Sequence, residues 1–259
     1  MQVTNRRPST FHAIAEMPRV MLEVSALSMI LPAVFAQAQR GSGQPVIVLP
    51  GFLGADDSTL PLRRFLTALG YPAQPWLLSR NNGHPELVER FGRRLYRLHK
   101  VYGKPITLIG QSLGGVFAHE LAREFPDAVH SVITLGSPFA AEGSEDTNPM
   151  VERLFESMSG MTVDEMRELA SVERSSAPLS QPNTSIYSKS DGVVSWQACL
   201  AKPSDHSENI EIIGSHTGMA MHPAVMHIIA DRLIQDPDNW QKYQPAGLCS
   251  ATLGIKRVH

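Results

Sequence analysis

The chain has 259 residues, of which 42% are hydrophobic and 19% are charged, and its formal net charge at pH 7 is −2. This is the balance of a globular protein, and the length suits one large domain or two small ones. Because positive charge is not in excess, the composition favours no nucleic-acid partner. The two cysteines, Cys199 and Cys249, lack the spacing of a zinc site, and the sequence leaves open whether they form a disulfide.

The N-terminal part of the chain contains a long apolar run, VMLEVSALSMILPAVFA, at residues 20–36. The run is shorter than the roughly 20 residues that a membrane-spanning helix needs, and Glu23 and Pro32 interrupt it. Glu23 and the polar lead before the run favour a retained helix, which would pack on the domain or contact a membrane surface. We therefore predict an N-terminal apolar helix and linker over residues 1–44, with peripheral membrane contact through residues 20–36.

A secretory signal peptide is the alternative for this segment. Three arginines, at positions 6, 7 and 19, precede the apolar run, and Ala-Gln-Ala at residues 36–38 matches the small-residue pattern of a cleavage site. The sequence favours a cytoplasmic or membrane-peripheral protein, and it leaves a secreted or periplasmic one open.

From residue 45 onward, short apolar runs alternate with amphipathic ones. The linker GSGQP, at residues 41–45, separates this part from the N-terminal helix. Continuously apolar strands that alternate with helices predict an α/β fold with a mostly parallel central sheet flanked by helices. The strands are predicted at residues 46–49, 73–78, 106–109, 131–136, 184–188 and 209–214, and the helices at residues 58–70 (with Ser58 as the cap), 84–103, 112–126 and 222–234.

Residues 140–183 interrupt the alternation with a helical segment between two predicted strands. Methionine is frequent in this segment and packs adaptably, which favours a mobile cap or lid over an apolar site. A peripheral helix pair with an ordinary core face is the alternative. We predict a main domain over residues 45–235 that contains this helical insertion, followed by a C-terminal tail over residues 236–259.

The sequence GQSLG, at residues 110–114, lies where a predicted strand gives way to a predicted helix. It fits G-x-S-x-G, the nucleophile elbow, in which a sharp strand-to-helix turn raises the serine above the sheet. The N-terminus of the helix offers unpaired N–H groups to a developing negative charge. The motif therefore predicts Ser112 as a nucleophile, and a glycine-rich turn with a capping serine is the alternative.

A serine hydroxyl needs a base, and the base needs a carboxylate that orients it. In enzymes with this elbow, the chain order is Ser, then Asp or Glu, then His. Asp191 follows the predicted strand at residues 184–188, and His216 follows the predicted strand at residues 209–214. Because the carboxyl ends of parallel strands meet at one edge of the sheet, we predict a catalytic triad of Ser112, Asp191 and His216.

Other acidic and histidine side chains are weaker candidates. His119 lies within the elbow helix and His222 begins the last predicted helix, and both are predicted to be structural. No acidic cluster has the ligand spacing of a calcium site, so no metal site is predicted. The remaining candidates lie in polar loops or turns, or precede the predicted cap: Asp127, Glu142, Glu145, Asp146, Asp205 and His206.

The loop after the first domain strand, in VIVLPGFLG at residues 46–54, is where a second oxyanion donor is expected. Gly51 lets the backbone approach a substrate closely, and the N–H groups of Phe52 and Leu113 are the predicted oxyanion hole. The side chains of Phe52 and Leu53 would line an apolar acyl site, so Leu53 is predicted to bind substrate. A hydrophobic turn without function is the alternative.

Five motifs together resemble the α/β-hydrolase superfamily, specifically its bacterial lipase and esterase branches: VIVLPGFLG, LIGQSLGG, TLGSPF, SDGVV and GSHTGM. The resemblance covers most of residues 45–235. It implies an α/β-hydrolase fold with a helical cap or lid insertion, Ser112 as the nucleophile, His216 as the base and Asp191 as its partner. It also implies that no cofactor is used and that the substrate is a small-molecule or lipid-like ester.

Two positions depart from the lipase pattern. Pro50-Gly51 stands where many lipases have His-Gly, and Gln111 stands where many have His before the nucleophile. Neither change removes a reacting group, so both bear on substrate choice, and Gln111 is predicted to contact the substrate. The expected function is ester hydrolysis through an acyl-enzyme. The alternatives are acyl transfer to another alcohol, amide cleavage, or a non-catalytic binding protein on the same scaffold.

Overall fold

A seven-stranded sheet organises the protein. The computed structural model describes residues 7–169, 177–245 and 255–258. The strands are β1 Val46–Leu49, β2 Ala73–Gln74, β3 Ile106–Gln111, β4 Val129–Leu135, β5 Asn183–Ser188, β6 Ser207–Ile212 and β7 Lys256–Val258. They lie in the order β2-β1-β3-β4-β5-β6-β7, in which the first six are parallel and β7 is antiparallel to β6. The carboxyl ends of the parallel strands therefore share one edge of the sheet.

Helices cover both faces of the sheet. They are α1 Thr10–Ile14, α2 Glu16–Gln37, α3 Leu60–Ala68, α4 Glu86–Tyr102, α5 Leu113–Glu124, α6 Pro149–Ser159, α7 Val163–Leu169 and α8 Pro223–Arg232. In β1, Val46 and Val48 belong to a hydrophobic cluster with α3 and α8, whereas Ile47 and Leu49 belong to a second cluster with α4 and α5. Alternate strand residues face opposite sides, so a continuously apolar strand is buried on both. The predicted α/β fold with a mostly parallel sheet is confirmed.

Two strand predictions are wrong in part. The strand predicted at residues 73–78 ends at Gln74, because Pro75 has no N–H and the N–H of Trp76 donates to the Asp56 carboxylate (2.8 Å) instead. The strand predicted at residues 209–214 is not the last one in the sheet. β7, which lies in the predicted tail, pairs with it, because a three-residue strand gives too short a pattern to be recognised.

The predicted cap of α3 is also wrong. Thr59, not Ser58, occupies the N-cap position, and its side chain makes no capping hydrogen bond. The Ser58 hydroxyl donates to Ala55 O (2.7 Å) in the preceding turn. Serine competes in this way for local backbone acceptors in turns, so its identity alone does not fix a helix start.

The N-terminal apolar run forms α2, a helix of 22 residues, so the expectation that it is too short to span a membrane is wrong. Glu16 begins the helix and Pro18 lies in its first turn, where proline is tolerated. Pro32 lies inside the helix without ending it. By length and hydropathy alone α2 is able to cross a membrane, yet in this structure it packs against α8. Membrane contact through residues 20–36 stays a prediction.

Helices α6 and α7 form the described part of the predicted cap. Residues 170–176 of that segment, Arg6 and Cys249 lie outside the described residues. The mobility of the cap and the domain boundaries therefore stay predictions, and the pairing of Cys249 stays open. Cys199 is buried, and this burial raises the pKa of its thiol well above the ordinary value. A thiol in such surroundings is chemically inert.

Candidate active site

The turn that carries Ser112 joins β3 to α5. Ser112 has φ 50° and ψ −123°, a backbone conformation that residues with a side chain rarely adopt. A Cβ on Gly110 would lie 2.4 Å from Gly114 O, so glycine is required where the strand and the helix touch. The Ser112 N–H donates to Leu135 O (2.8 Å), which ties the turn to β4. The structure thus has the sharp strand–turn–helix arrangement that the nucleophile-elbow motif requires.

The loop after β1 lies directly against this turn. A Cβ on Gly51 would lie 3.2 Å from the Cβ of Ser112. Asn81 holds the loop in place. Its side-chain amide donates to Pro50 O (2.9 Å), and its backbone carbonyl accepts from Leu53 N (2.6 Å). Asn81 is fully buried. The role of Asn81 was not predicted from the sequence, because an asparagine in the polar stretch SRNNG resembles an ordinary loop residue.

Two backbone N–H groups at this junction are available to an oxyanion. Within the described residues, neither the N–H of Phe52 nor that of Leu113 donates to a hydrogen-bond acceptor. Leu113 is the first residue of α5, at the positive end of the helix dipole. These are the two N–H groups that the sequence motifs predict as the oxyanion hole, and their catalytic role stays a prediction.

Asp191 and His216 form a buried pair at the carboxyl ends of β5 and β6. His216 Nδ1 lies 2.7 Å from Asp191 Oδ2, and both side chains are almost fully buried. Asp191 Oδ1 accepts hydrogen bonds from the N–H groups of Val193 (2.8 Å) and Val194 (2.9 Å), which fix the carboxylate. A carboxylate only accepts, so Nδ1 of a neutral imidazole carries the proton and Nε2 keeps its lone pair. This is the tautomer that a general base needs.

The surroundings of His216 favour its protonated form. Burial alone would lower the pKa of His216, but the charge of Asp191 and the hydrogen bond to it outweigh burial, with a further contribution from Glu16. The net result is that the pKa of His216 is raised. Such an imidazole accepts a proton more readily than a free one, which suits removal of a proton from a serine hydroxyl.

His216 lies next to the turn that carries Ser112, and Gln111, the residue before Ser112, holds it there. The Gln111 side-chain amide donates to the carbonyls of His216 (3.1 Å) and Thr217 (3.2 Å). A Cβ on Gly136 would lie 3.1 Å from His216 Nδ1. Within the described residues, the Ser112 hydroxyl makes no hydrogen bond, so the Ser–His contact of a triad is not formed in this structure. Catalytic contacts of this kind often tighten only when substrate binds.

An apolar cavity with a volume of about 790 Å³, part of it open to solvent, lies over Ser112. Its wall includes Phe52 and Leu113 but neither Leu53 nor Gln111, so substrate contact by these two stays a prediction. Among the described residues that line it, Ser112 and Thr147 are polar and none is charged. The other lining residues come from the elbow helix, the loop after β4, α6, α7 and the loop after Asp191: Val116, Pro138, Phe139, Ala141, Val151, Phe155, Val163, Met166, Val193 and Val194.

The N-terminal helix contacts the acid and base loops through two buried carboxylates, which the sequence analysis did not assign to the site. Glu16 accepts hydrogen bonds from the N–H groups of His216 and Thr217, each at 3.2 Å. Glu23 accepts from the N–H and the hydroxyl of Ser215, each at 2.5 Å. Glu16 and Glu23 are two helical turns apart and therefore lie on one face of an apolar helix. This pattern was the feature of the sequence that could have indicated their contact with the site.

Glu23→Gln is expected to alter the pH dependence of stability. Burial, the largest cause, raises the pKa of Glu23, with Glu16 adding to it, while Ser215 and Arg19 oppose it. A carboxyl with a raised pKa on folding stabilises the fold fully only while protonated, and this stability is lost as pH rises through the folded pKa. The melting temperature of Glu23→Gln minus that of the wild type should therefore become more positive between pH 4 and pH 8.

The exposed Glu145 provides the matched control for that measurement, because burial is the largest cause of the raised pKa of Glu23 and Glu145 is not buried. Glu145→Gln should leave the difference in melting temperature constant across the same range. In a domain of this size, a change of about 1 kcal/mol corresponds to roughly 2–4 °C. A difference for Glu23→Gln that is constant, or that becomes more negative with pH, would contradict the burial argument.

The weaker candidates lie apart from the Asp191–His216 pair. His119 stacks on Phe139 with ring centroids 3.8 Å apart, and burial, helped by Arg123, lowers the pKa of His119 to about 3. His222 caps α8 by accepting from Ala224 N (3.1 Å), as the sequence predicts. Asp146 is buried, and its carboxylate accepts from Glu142 N (2.8 Å). The remaining candidates are exposed: Asp127, Glu142, Glu145, Asp205 and His206. Among the described residues, no group of His, Cys, Asp and Glu side chains could hold a metal ion.

The similarity to known proteins is strongest at the level of the fold. A family model described as the alpha/beta hydrolase fold matches residues 47–165. No curated protein matches the sequence. Because that model spans the elbow and the oxyanion loop, it supports the resemblance that the sequence motifs indicate.

Solved structures of three lipolytic enzymes have the same fold. Lipase B of Aspergillus fumigatus has a TM-score of 0.58 at 15% identity, over 85% of this chain and 59% of the lipase, so the chain spans about three fifths of that protein. A metagenome-derived lipolytic enzyme gives 0.53 at 16% identity, over 71% and 89%. The monoacylglycerol lipase of Paleococcus ferrophilus gives 0.53 at 14% identity, over 75% and 96%. At these identities the likeness is one of fold, and the chemistry has to be argued from the site.

Proposed function

We propose that this chain, which has the α/β-hydrolase fold, is a serine hydrolase that cleaves carboxylic esters with an apolar acyl group. The observation that carries the proposal is the position of Ser112 in the wall of an apolar cavity, on a strained turn next to the buried Asp191–His216 pair. The lipolytic enzymes with the same fold support the class of reaction.

In the proposed acylation step, Ser112 Oγ attacks the ester carbonyl while His216 Nε2 takes its proton. Asp191 holds the imidazole in the required tautomer and stabilises the imidazolium. The N–H groups of Phe52 and Leu113 bind the oxyanion of the tetrahedral intermediate, and each donor contributes on the order of 3 kcal/mol in the transition state. The intermediate then breaks at the alkoxy oxygen, which leaves as the alcohol with the proton from His216.

In the proposed deacylation step, water takes the place of the alcohol. His216 removes a proton from the water as it attacks the acyl carbonyl, and the same oxyanion donors stabilise the second tetrahedral intermediate. Ser112 leaves with the proton, and the products are the carboxylic acid and the regenerated enzyme. The chemistry needs no cofactor, because every proton moves between Ser112, His216, water and the leaving alcohol.

The cavity supports an aliphatic or aromatic acyl group rather than a charged one. A carboxylate or ammonium in the cavity would lose its hydration, and among the described lining residues the polar side chains that it would meet are the hydroxyls of Ser112 and Thr147. Each methylene buried in such a site contributes about 0.8 kcal/mol, or roughly a fourfold gain in binding to the transition state. The favoured acyl groups are therefore longer than acetyl.

A series of p-nitrophenyl esters tests this function. We expect kcat/KM to rise from acetate through butyrate to octanoate, by about fourfold per methylene until the cavity is filled. Val163, in α7, lies in the cavity wall, so Val163→Trp should lower kcat/KM for the octanoate while leaving the acetate within about twofold.

Val101→Trp is the matched control, because Val101 is 79% exposed at the end of α4 and lies away from the cavity. It should leave the whole series unchanged. Equal rates for all chain lengths in the wild type, or an equal loss for acetate and octanoate in Val163→Trp, would show that the acyl group does not occupy this cavity. Absence of hydrolysis of every ester, together with no labelling by a fluorophosphonate, would contradict the proposed function itself.

A further inference from the structure

We propose that Glu16, in the N-terminal helix, is a positioning residue that fixes the catalytic base: its carboxylate holds the His216 loop and the Asp191 turn in register. The inference rests on the proposed function, because it assigns His216 as the base. It concerns a segment that lies before the sheet and outside the part of the chain that the alpha/beta hydrolase family model matches, residues 47–165.

One carboxylate connects the two loops that carry the acid and the base. Glu16 Oε1 accepts from the N–H of Gly192 (3.0 Å), the residue after Asp191, and from the N–H of His216 itself (3.2 Å). Glu16 Oε2 accepts from Thr217 N (3.2 Å). Three backbone donors from the ends of β5 and β6 therefore converge on a single side chain that comes from a third element.

Arg19 also contacts both loops. It donates hydrogen bonds to their carbonyl groups, whereas Glu16 accepts hydrogen bonds from their N–H groups. It forms an ion pair with Glu16 (2.8 Å) one helical turn away. Its guanidinium also donates to Ser190 O (2.6 Å), directly before Asp191, and to Gly214 O (3.3 Å), two residues before His216. The ion pair is largely buried, and it satisfies both N–H and C=O groups of the same two loops, so the loops cannot shift independently without losing buried hydrogen bonds.

The two loops pack closely against the N-terminal helices. A Cβ on Gly192 would lie 2.5 Å from His12 C in α1, and a Cβ on Gly218 would lie 1.8 Å from Glu23 Oε2. Glu23 holds Ser215, the residue before the base. The loop on both sides of His216 thus contacts α2 through backbone and carboxylate atoms, which are positions that tolerate little displacement.

Glu16 also acts on the imidazole by its charge. The charged groups that face His216 are Asp191, from the turn after β5, and Glu16, from α2, while Arg19 and Glu23 stand behind them on the same helix. Gly136 and Met219, which pack nearby, carry no charge. Removing the negative charge of Glu16 should therefore destabilise the imidazolium and lower the pKa of His216 relative to the wild type.

Glu16→Gln in the full chain tests the positioning role. In Glu16→Gln, the amide nitrogen would face one of the three backbone N–H donors and could not accept its hydrogen bond, so the loop should shift. Displacement of a catalytic group by about 1 Å costs on the order of 100-fold in kcat. We expect kcat for p-nitrophenyl butyrate, corrected for active sites titrated with a fluorophosphonate, to fall by roughly 10- to 100-fold. KM should stay within about twofold, since no residue of α2 lines the cavity.

The matched control is Ser28→Ala, an exposed residue on the same helix whose hydroxyl bonds only to Val24 O. It should leave kcat unchanged. Glu16→Asp keeps the charge but shortens the side chain, so it should leave the pKa of His216 near the wild-type value while kcat lies between those of the wild type and Glu16→Gln. If Glu16→Gln is insoluble, an unchanged kcat in Glu16→Asp overturns the proposal.

A readout that needs no activity separates this inference from the proposed function. The imidazole of His216, followed by NMR titration in the wild type and in Glu16→Gln, should have a lower pKa in the variant. If that pKa is unchanged, or if kcat per titrated site stays within twofold of the wild type, Glu16 does not position the base. If the wild type hydrolyses no ester while the His216 titration moves as expected, the contact is real and the proposed reaction is wrong.

Discussion

Replacing Ser112 by alanine is expected to reduce kcat/KM for ester hydrolysis by a factor on the order of 10⁵ to 10⁶. The reason is that the covalent step is lost, while the oxyanion donors and the cavity are left to accelerate only direct attack by water. The variant should fold as the wild type does, because within the described residues the Ser112 hydroxyl makes no hydrogen bond to lose. Steady-state rates with p-nitrophenyl butyrate and a urea unfolding curve measure the two effects.

Ser112→Gly distinguishes the loss of the nucleophile, which lowers activity, from the relief of backbone strain, which raises stability. The φ of 50° and ψ of −123° at this position cost a residue with a Cβ about 1–3 kcal/mol, whereas glycine adopts them freely. Ser112→Gly should therefore be as inactive as Ser112→Ala and yet more stable by about 1 kcal/mol, once the extra chain entropy of glycine is deducted.

Ser180→Ala, at an exposed position in the turn before β5, is the matched serine control and should keep full activity. If Ser112→Ala retains more than about 1% of the wild-type rate, the nucleophile lies elsewhere. If Ser112→Gly is less stable than Ser112→Ala, the turn is not strained in the way that its dihedral angles indicate.

The parts of the site that follow strands could be predicted because of the regularity of parallel sheets. Once the apolar runs are recognised as parallel strands, Ser112, Asp191 and His216 come to lie at one edge of the sheet. The glycines at positions 110 and 114 indicate that backbone segments lie in close contact there, since a Cβ at either position would collide with backbone atoms. These inferences depend on local patterns within about ten residues, which a single sequence contains.

The parts that depend on distant segments could not be predicted in the same way. Nothing in the local sequence of Glu16 or Asn81 shows what they contact, because their partners are 176 and 200 residues away for Glu16 and 31 residues away for Asn81. Glu23 drew attention only as a charge within an apolar run. In the structure the carboxyl group of Glu23 accepts hydrogen bonds from Ser215, because a polar group that is buried in an apolar stripe needs a hydrogen-bond partner.

The N-terminal helix also contacts the acid and base loops of the proposed triad. In a sheet-edge triad, each loop is fixed by its own strand, so the relative position of acid and base depends on two independent turns. Here the ion pair of Glu16 and Arg19 contacts both turns, and Glu23 adds a contact to the base loop through Ser215. We infer that such a connection favours movements in which the two loops shift together, because an independent shift would break hydrogen bonds of Glu16 and Arg19.

Asp191→Asn is expected to lower kcat/KM by about 10⁴-fold at neutral pH with little change in stability. The amide oxygen should keep the two hydrogen bonds from Val193 and Val194, so the amide nitrogen then faces His216 Nδ1 as a donor. The imidazole has to accept at Nδ1 and carry its proton on Nε2, the wrong tautomer for a base. Loss of the carboxylate charge also removes the main cause of the raised pKa of His216.

The variant should therefore have two signatures besides its low rate. The acid limb of its kcat/KM profile should shift to lower pH, because an imidazolium without Asp191 loses its proton more easily. Labelling of Ser112 by a fluorophosphonate should slow by a similar factor, since that reaction needs the same base. Asp205→Asn, at an exposed position in the loop before β6, should change neither. A loss of less than tenfold in Asp191→Asn would mean that another carboxylate orients His216, and Glu16, which accepts from the N–H of His216, would be the first to examine.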